Sequence, residues 1–441
     1  MSTRFEPFAS DVLSNAGGGG ERVLWAAIEA TQTHYPNAIC AVYTGDHEIT
    51  KDLLVASVKK RFDITLQPHS LHFVFLSRRH FVLATTYPYF TLLGQSLGSL
   101  VLAYEAFSML VPDIFIDTMG YAFAVALCKY LFPGVPTGAY VHYPTISTDM
   151  LDSLDDHTGT KGIHSGAGSG LKGRVKKGYW HLFAQLYGWV GKRTDVVMCN
   201  STWTAGHISK LWSIPRPSIV YPPCPVHEIE EKVQINEQSE RQRQPIVLYV
   251  AQFRPEKNHG LILRSFAKFF HGQPDDRKPK LVLIGSVRAN TSDEKHIYKL
   301  RLDARDLKID SYTDFICDAP FSTILEYLQK SDIGVNGMYA EHFGIGNVEG
   351  LAAGLILVVH NSGGPKLDIV VPYEGQDIGY HAETEDEYAE ALAKISRLSL
   401  KEKLEMRLRC RRSAQRFAGG VFEQKWIESM AALIDLQPIK K

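Results

Sequence analysis

Two carboxylates, Glu341 and Glu349, bracket the seven residues His342-Phe343-Gly344-Ile345-Gly346-Asn347-Val348. The apolar run 331–335 before them reads as a strand, 348–353 as a helix, and 355–360 as the next strand. Glu341 therefore falls on a glycine-containing loop at the carboxyl end of a strand, and Glu349 in the first turns of the following helix. Ligands of open α/β sheets bind at that edge. Loop amides and a helix N-terminus favour an anion there, while carboxylates accept hydrogen bonds from hydroxyls. An anion joined to a polyol describes a nucleotide sugar.

Cations stand in matching positions. Gln252-Phe253-Arg254-Pro255-Glu256-Lys257-Asn258 follows the strand run 246–250. Pro255 cannot lie inside a helix, so the segment reads as a strand-to-helix turn with the helix starting near Asn258. That puts Arg254 and Lys257 at the same carboxyl edge as Glu341. Arginine grips a diphosphate with two parallel hydrogen bonds and lysine adds a point charge. Fixed cations also lower the barrier to departure of a nucleoside diphosphate. Hydrolysis of a neutral glycoside accounts for less. Eight helical residues span about 12 Å, outside the roughly 5–9.5 Å of glycosidase carboxylate pairs, and such a reaction has no use for the two cations.

The first half supplies a further loop. Asn15-Ala16-Gly17-Gly18-Gly19-Gly20-Glu21-Arg22-Val23-Leu24 runs from four glycines into an amphipathic helix. Backbone without Cβ atoms can approach a ligand closely. The run matches neither the dinucleotide nor the P-loop fingerprint. His142-Tyr143-Pro144-Thr145 ends a strand, and a neutral imidazole there can bond a sugar hydroxyl or phosphate oxygen. Asp149, on the same loop, is a weaker candidate. Gly363-Gly364-Pro365 opens another helix and has a supporting role.

These residues need two sheets to position them. The chain has 441 residues, too many for one ordinary core. Apolar runs at 38–43, 72–76, 114–117, 137–142 and 195–199 alternate with helices starting near Glu21, Lys51, Tyr89, Lys176 and Thr202. Tyr221-Pro222-Pro223-Cys224-Pro225 then interrupts, and the charged run 228–244 reads as a solvated linker. Alternation resumes at 246–250, 280–284, 313–316, 332–335 and 355–360. This predicts an α/β protein with two doubly wound, Rossmann-like domains facing a cleft. Lys+Arg and Asp+Glu both total 48, so no basic excess points to nucleic acid. Six scattered cysteines without a CxxC pair give no zinc site and no disulfide framework.

Membrane signals are present but diluted. Residues 1–20 contain no apolar core of anchor length. Residues 81–104 carry no formal charge, yet Pro88 and the glycines, serines and glutamine favour a buried or interfacial helix over a span. The glycine-rich, basic segment 152–178, with Lys172, Arg174, Lys176 and Lys177, reads as a mobile loop. Aromatics from Tyr179 to Trp189, beside Lys176, Lys177, Lys192 and Arg193, suit a membrane interface and equally an ordinary amphipathic core helix.

Together the motifs carry a resemblance. Glu341 and Glu349 with Arg254 and Lys257 resemble the retaining nucleotide-sugar glycosyltransferases of family 4, which have the GT-B fold. The glycine run, the segment 140–150 ending in Asp149-Met150, the turn at 252–258 and residues 341–371 are similar to the eukaryotic GDP-mannose:glycolipid α-1,2-mannosyltransferases of dolichol-linked oligosaccharide assembly. Glu6-Pro7 stands where those relatives enter the glycine loop from a His-Pro step.

The resemblance implies transfer of two successive mannoses from GDP-mannose to a trimannosyl, di-N-acetylglucosaminyl diphosphodolichol, on the cytosolic face of the endoplasmic reticulum membrane. It implies no cofactor or metal. Arg254 and Lys257 hold the diphosphate, Glu341 the mannose hydroxyls and Glu349 the ribose. Phe343, Gly344 and Ile345 contribute backbone amides, Gly18, Gly19 and Gly20 approach the donor phosphate, and His142 lies near the donor sugar. The implied layout is an acceptor-side domain over 1–222, a linker over 223–245 and a GDP-sugar-binding domain with terminal helices over 246–441. Implied partners are the dolichol-diphosphate-linked oligosaccharide, the membrane surface and other mannosyltransferases of the pathway. Two further readings are a non-catalytic sugar-nucleotide-binding scaffold and a hexosyltransferase using another nucleotide sugar.

Overall fold

The computed structural model describes residues 4–8, 19–45, 50–156, 166–274, 278–288 and 291–438. The chain forms two compact units, and both are wound around parallel sheets.

In the first unit, strands β1 (Arg4–Phe8), β2 (Ile39–Thr44), β3 (Leu71–Phe75), β4 (Ile114–Asp117), β5 (Thr137–Val141), β6 (Val196–Cys199) and β7 (Ser218–Ile219) order as β3-β2-β1-β4-β5-β6-β7. Strands β4 and β5 are buried along their whole length, as a sheet covered on both faces requires. In the second unit, β8 (Gln244–Val250), β9 (Lys280–Gly285), β10 (Thr313–Cys317), β11 (Ser331–Asn336), β12 (Ile356–His360) and β13 (Gly379–Ala382) order as β10-β9-β8-β11-β12-β13. Strand order reverses beside β1 and β4 in one sheet and beside β8 and β11 in the other. The crevice at such a reversal is where doubly wound sheets bind ligands.

Three features differ from the expected layout. The C-terminal helix Gly419–Asp435 belongs to the first unit. Its stripe Phe422, Trp426, Met430 and Leu433 is buried in the first unit's core, and Trp426 Nε1 donates to Thr31 Oγ1 at 2.9 Å. Burying each of the Phe, Met and Leu side chains contributes about 1.5–3 kcal/mol, which outweighs sequence proximity to the second unit.

The expected linker is also folded. It forms helices Val226–Lys232 and Glu237–Gln242 in the second unit. Glu240, 5% exposed, meets the fully buried Arg407 at 2.6 Å. A charge that looked solvated is thus paired across 167 positions of sequence.

The expected basic loop is largely helix. Helix Thr148–Ser153 occupies one end, and helix Gly170–Gly191 carries all four cations; residues 157–165 of the segment lie outside those described. Glycine at 173 is required because a Cβ there would lie 2.2 Å from the backbone of Gly168. The charge-free stretch folds as two short 3-10 turns and the helix Thr91–Met109, which buries Gly98, Leu102, Ala103 and Phe107. Among the described residues no helix is long and apolar enough to cross a membrane.

Candidate active site

The second unit's reversal point carries most of the expected chemistry. Strands β8 and β11 lie side by side, pairing Val247 with Ile333 and Leu248 with Gly334. The turn after β8 brings Arg254 into a 3-10 turn, Pro255–Lys257. Asn258 then adopts the left-handed region (φ 51°) and starts the helix His259–His271. The loop after β11 carries Glu341 and ends at Gly344 (φ 99°), the N-cap of helix Ile345–Ala352. Gly346 packs that helix's first turn onto the end of β8, since a Cβ there would lie 3.3 Å from the Val250 carbonyl.

These turns bring Lys257 and Glu341 into contact. Lys257 Nζ donates to Glu341 Oε2 at 2.6 Å and lies 3.2 Å from Met338 Sδ. Glu341 is 8% exposed. Burial alone would raise its pKa. The charges of Lys257 and His342, with hydrogen bonds from Lys257 and Asn336, outweigh burial and hold the carboxyl below its ordinary value. The group is therefore an ionised hydrogen-bond acceptor. Arg254 is half-buried, and its Nε makes no hydrogen bond to the described residues. Its positive charge also reaches Asp293, whose carboxylate is gripped at both oxygens by Arg288.

The rest of the loop is held by backbone and apolar contacts. The Phe343 side chain is buried edge-on against Phe417 at 5.4 Å, so it anchors the loop while the backbone of Phe343, Gly344 and Ile345 lies at the helix start. Glu349 is half-buried on that helix. Gly363 (φ 69°) and Gly364 press against the Glu341 segment. A Cβ on Gly363 would sit 2.3 Å from the Glu341 carbonyl, to which Gly364 N donates at 2.7 Å.

Several supporting residues had no signal in the motifs. Asn336, the last residue of β11, donates to Asn347 Oδ1 at 3.2 Å and accepts from Met338 N at 2.9 Å. Tyr249 donates to the Lys257 carbonyl at 2.7 Å, fixing the cationic turn. His259 is fully buried and stacked on Phe253 at 5.0 Å. Burial, with the charges of His296 and Lys257, pushes its pKa down to about 3. The position of Asn336 at a strand's carboxyl end was the one available sign; the others depend on contacts that local pattern does not encode.

The remaining expected residues belong to the first unit. Gly19 and Gly20 open the helix Gly19–His34, and a Cβ on Gly20 would lie 3.7 Å from His142 Nε2. The glycine run and the histidine are therefore neighbours. Gly18 lies outside the described residues. At the first unit's own reversal point, Asp117 accepts from Met119 N at 2.9 Å and Gly120 N at 3.0 Å. Burial outweighs those bonds and pushes its pKa up to about 6.

A doubly wound sheet with an ion-paired carboxylate, a cationic turn and a helix N-terminus at its reversal point defines a nucleotide-sugar glycosyltransferase. Comparison with known proteins agrees. Residues 5–212 match the family described as ALG11 mannosyltransferase N-terminus, and residues 230–417 match glycosyl transferases group 1. The chain is 52% identical to the GDP-Man:Man(3)GlcNAc(2)-PP-Dol alpha-1,2-mannosyltransferase of Neurospora crassa, covering 99% of this chain and 80% of that protein. It is 45% identical to the human protein of the same name, covering 95% and 85%. Its structure resembles sucrose-phosphate synthase of Thermosynechococcus elongatus with a TM-score of 0.69 at 14% identity, over 98% and 99% of the two chains, a likeness that shows the GT-B fold. The chain belongs to the ALG11 mannosyltransferase family.

Proposed function

We propose that this protein is a retaining α-1,2-mannosyltransferase that adds two successive mannoses from GDP-mannose to Man(3)GlcNAc(2)-PP-dolichol. The observation that carries the reading is the Lys257–Glu341 contact at the reversal point of the second sheet. A cation suited to a diphosphate and an ionised acceptor suited to sugar hydroxyls side by side support that reading. Arg254, whose Nε has no hydrogen-bond partner among the described residues, adds the second cation for the departing GDP, and Glu349 takes the ribose. Backbone amides of 343–345 and the helix dipole favour the phosphate. His142 with Gly18, Gly19 and Gly20 serves the donor from the first unit.

Chemistry follows from these roles. The bond between mannose C1 and the β-phosphate oxygen breaks as C1 bonds to the acceptor hydroxyl on the same face. The hydroxyl proton passes to the leaving phosphate oxygen, giving GDP. Glu341 is committed to Lys257 and Asn336, which suits holding hydroxyls rather than attacking C1. No step calls for a metal or cofactor.

The acceptor's lipid stays in a bilayer, so the protein works at a membrane surface, which the family resemblance assigns to the cytosolic face of the endoplasmic reticulum. The first unit offers a surface for it. Leu171, Val175, Leu182 and Trp189 form one exposed stripe on helix Gly170–Gly191. Phe90 packs edge-on against Tyr179 at 5.0 Å, joining the exposed Tyr89 and Phe90 to that face. Lys176 lies over Trp180 and Arg193 over Trp189. Each basic residue near anionic lipid contributes about 1 kcal/mol. Liposome flotation checks this: protein that stays soluble at low salt with anionic vesicles contradicts it.

Activity is tested by incubating purified protein with a trimannosyl lipid acceptor and either GDP-mannose or UDP-glucose. Two α-1,2-mannosidase-sensitive additions from GDP-mannose alone are expected. Transfer from UDP-glucose, or no transfer with GDP still bound, would replace the reading with one of the two alternatives.

A further inference from the structure

A polar cluster outside the residues assigned above lies in the first unit, where the neighbouring strands β5 and β6 end. Helix Thr148–Ser153 follows β5, with Ser147 as its N-cap. Helix Thr202–Trp212 follows β6, with Ser201 as its N-cap. Asp149 from the first helix accepts from Trp203 Nε1 at 3.0 Å and faces His207 Nε2 at 3.4 Å, both at Oδ2. The other imidazole nitrogen, Nδ1, lies 2.7 Å from Thr148 Oγ1.

One assignment of protons satisfies all four groups. The Thr148 hydroxyl donates to Nδ1, and Nε2 carries the proton that faces the carboxylate. Trp203 and His207 are nearly buried, at 7% exposure each, whereas the Asp149 side chain is 32% exposed. A carboxylate is thus fixed at one oxygen by two buried donors and still reaches the surface of a ligand-binding sheet edge.

We propose that Asp149 binds the reacting mannose of the glycolipid acceptor, with Trp203 and His207 as positioning residues that fix its orientation. The inference rests on the mannosyl-transfer reading above. Negative charge excludes the diphosphate groups of donor and acceptor as its partner and favours hydroxyl donors. A carboxylate held by a charge-assisted hydrogen bond is a strong and directional acceptor for them. The Tyr143 ring lies parallel to Trp203, at 6.0 Å and 7°, adding an aromatic wall of the kind that packs on sugar C–H faces. Asp149 also shares its loop with His142, which neighbours Gly20, so the cluster belongs to the same edge as the residues expected near the donor sugar.

Asp149→Asn keeps the shape and the acceptor for Trp203 but removes the charge. Equilibrium binding of a phytanyl-linked trimannosyl acceptor, without any nucleotide sugar, should weaken about 10- to 100-fold. GDP affinity and melting temperature should stay at their wild-type values. Trp203→Phe keeps an aromatic ring beside Tyr143 and removes the N–H together with the rest of the indole; its acceptor affinity should fall selectively, by less than in Asp149→Asn. Wild-type acceptor affinity in both variants overturns the proposal. So does a loss that comes with a lowered melting temperature in both, which would assign the cluster to helix packing. Because the binding measurement uses no donor, it stands even if the transferred sugar proves not to be mannose.

Discussion

The two units share a winding order but place different chemistry on their carboxyl edges. In the second, the loops after β8 and β11 bring an ammonium and a carboxylate to 2.6 Å. In the first, the corresponding reversal point spends its carboxylate, Asp117, on backbone amides. The same sheet's carboxyl edge also carries His142 and the Asp149 cluster with its aromatic rings. The difference teaches that the sheet supplies only the edge, and the loops decide what it binds. Fixed charge in one unit suits a phosphorylated donor. Hydroxyl-seeking groups and a basic, apolar face in the other suit a lipid-linked sugar. The units also secure their distant segments differently. The first captures the C-terminal helix through an apolar stripe, whereas the second holds the Glu237–Gln242 helix through the buried Arg407, paired with Glu240 and Asp332.

The largest expected effects test that last contrast. Arg407→Leu leaves Glu240 and Asp332 without their buried partner, which costs about 3–5 kcal/mol. Trp426→Ala opens a cavity in the first unit at a cost of about 3–5 kcal/mol. Hydrogen exchange resolved by unit should show each variant loosening only its own unit. Equal loosening of both units by either variant would mean that they unfold together.

Next in size are the charges of the site. Lys257→Ala or Arg254→Ala should lower turnover by roughly 10²–10³, read in a mannosyl-transfer assay. Near-normal turnover in both removes the cations from the mechanism. Gly363→Ala should also reduce transfer, because its Cβ would strike the Glu341 carbonyl at a backbone angle that disfavours side chains. A fully active Gly363→Ala variant would show that the Glu341 loop tolerates displacement.

The contrast between the edges was only partly legible in the sequence. Glu341, Glu349, Arg254 and Lys257 could be placed because glycine and proline punctuate their loops and apolar runs flank them. Strand order reversal then brought β8 and β11 together, as doubly wound sheets do. The 226–242 helices were not legible, because Glu240 is buried by a residue 167 positions away and charge alone reads as solvation. The Gly419–Asp435 helix could be read as amphipathic, but nothing local says which unit its stripe enters. The helix Gly170–Gly191 was legible only from near Lys176; its first turns were hidden by glycines, of which Gly173 serves close packing rather than flexibility.

Stability should also respond to pH, with opposite signs in the two units. His259 has a folded pKa lowered to about 3, so its contribution is present above the unfolded value near 6.5 and is lost as pH falls toward 3. Asp117 has a folded pKa raised to about 6. Its contribution is present below the unfolded value near 3.9 and is lost as pH rises toward 6. Between about pH 4 and 6 the second unit should therefore strengthen with rising pH through His259 while the first weakens through Asp117. His259→Phe, which keeps the stack on Phe253, should flatten the first slope, and Asp117→Asn the second. Unit-resolved exchange at several pH values checks this; unchanged slopes in the variants would contradict it.

The central claim divides the donor between two carboxylates, Glu349 on the nucleotide and Glu341 on the hexose. Calorimetry with GDP tests it most directly. Glu349→Ala should weaken GDP binding by about 10- to 100-fold. Glu341→Ala should leave GDP binding intact or tighten it, because Lys257 is released from its ion pair, while abolishing mannosyl transfer. Weakened GDP binding in Glu341→Ala together with normal binding in Glu349→Ala would contradict the account.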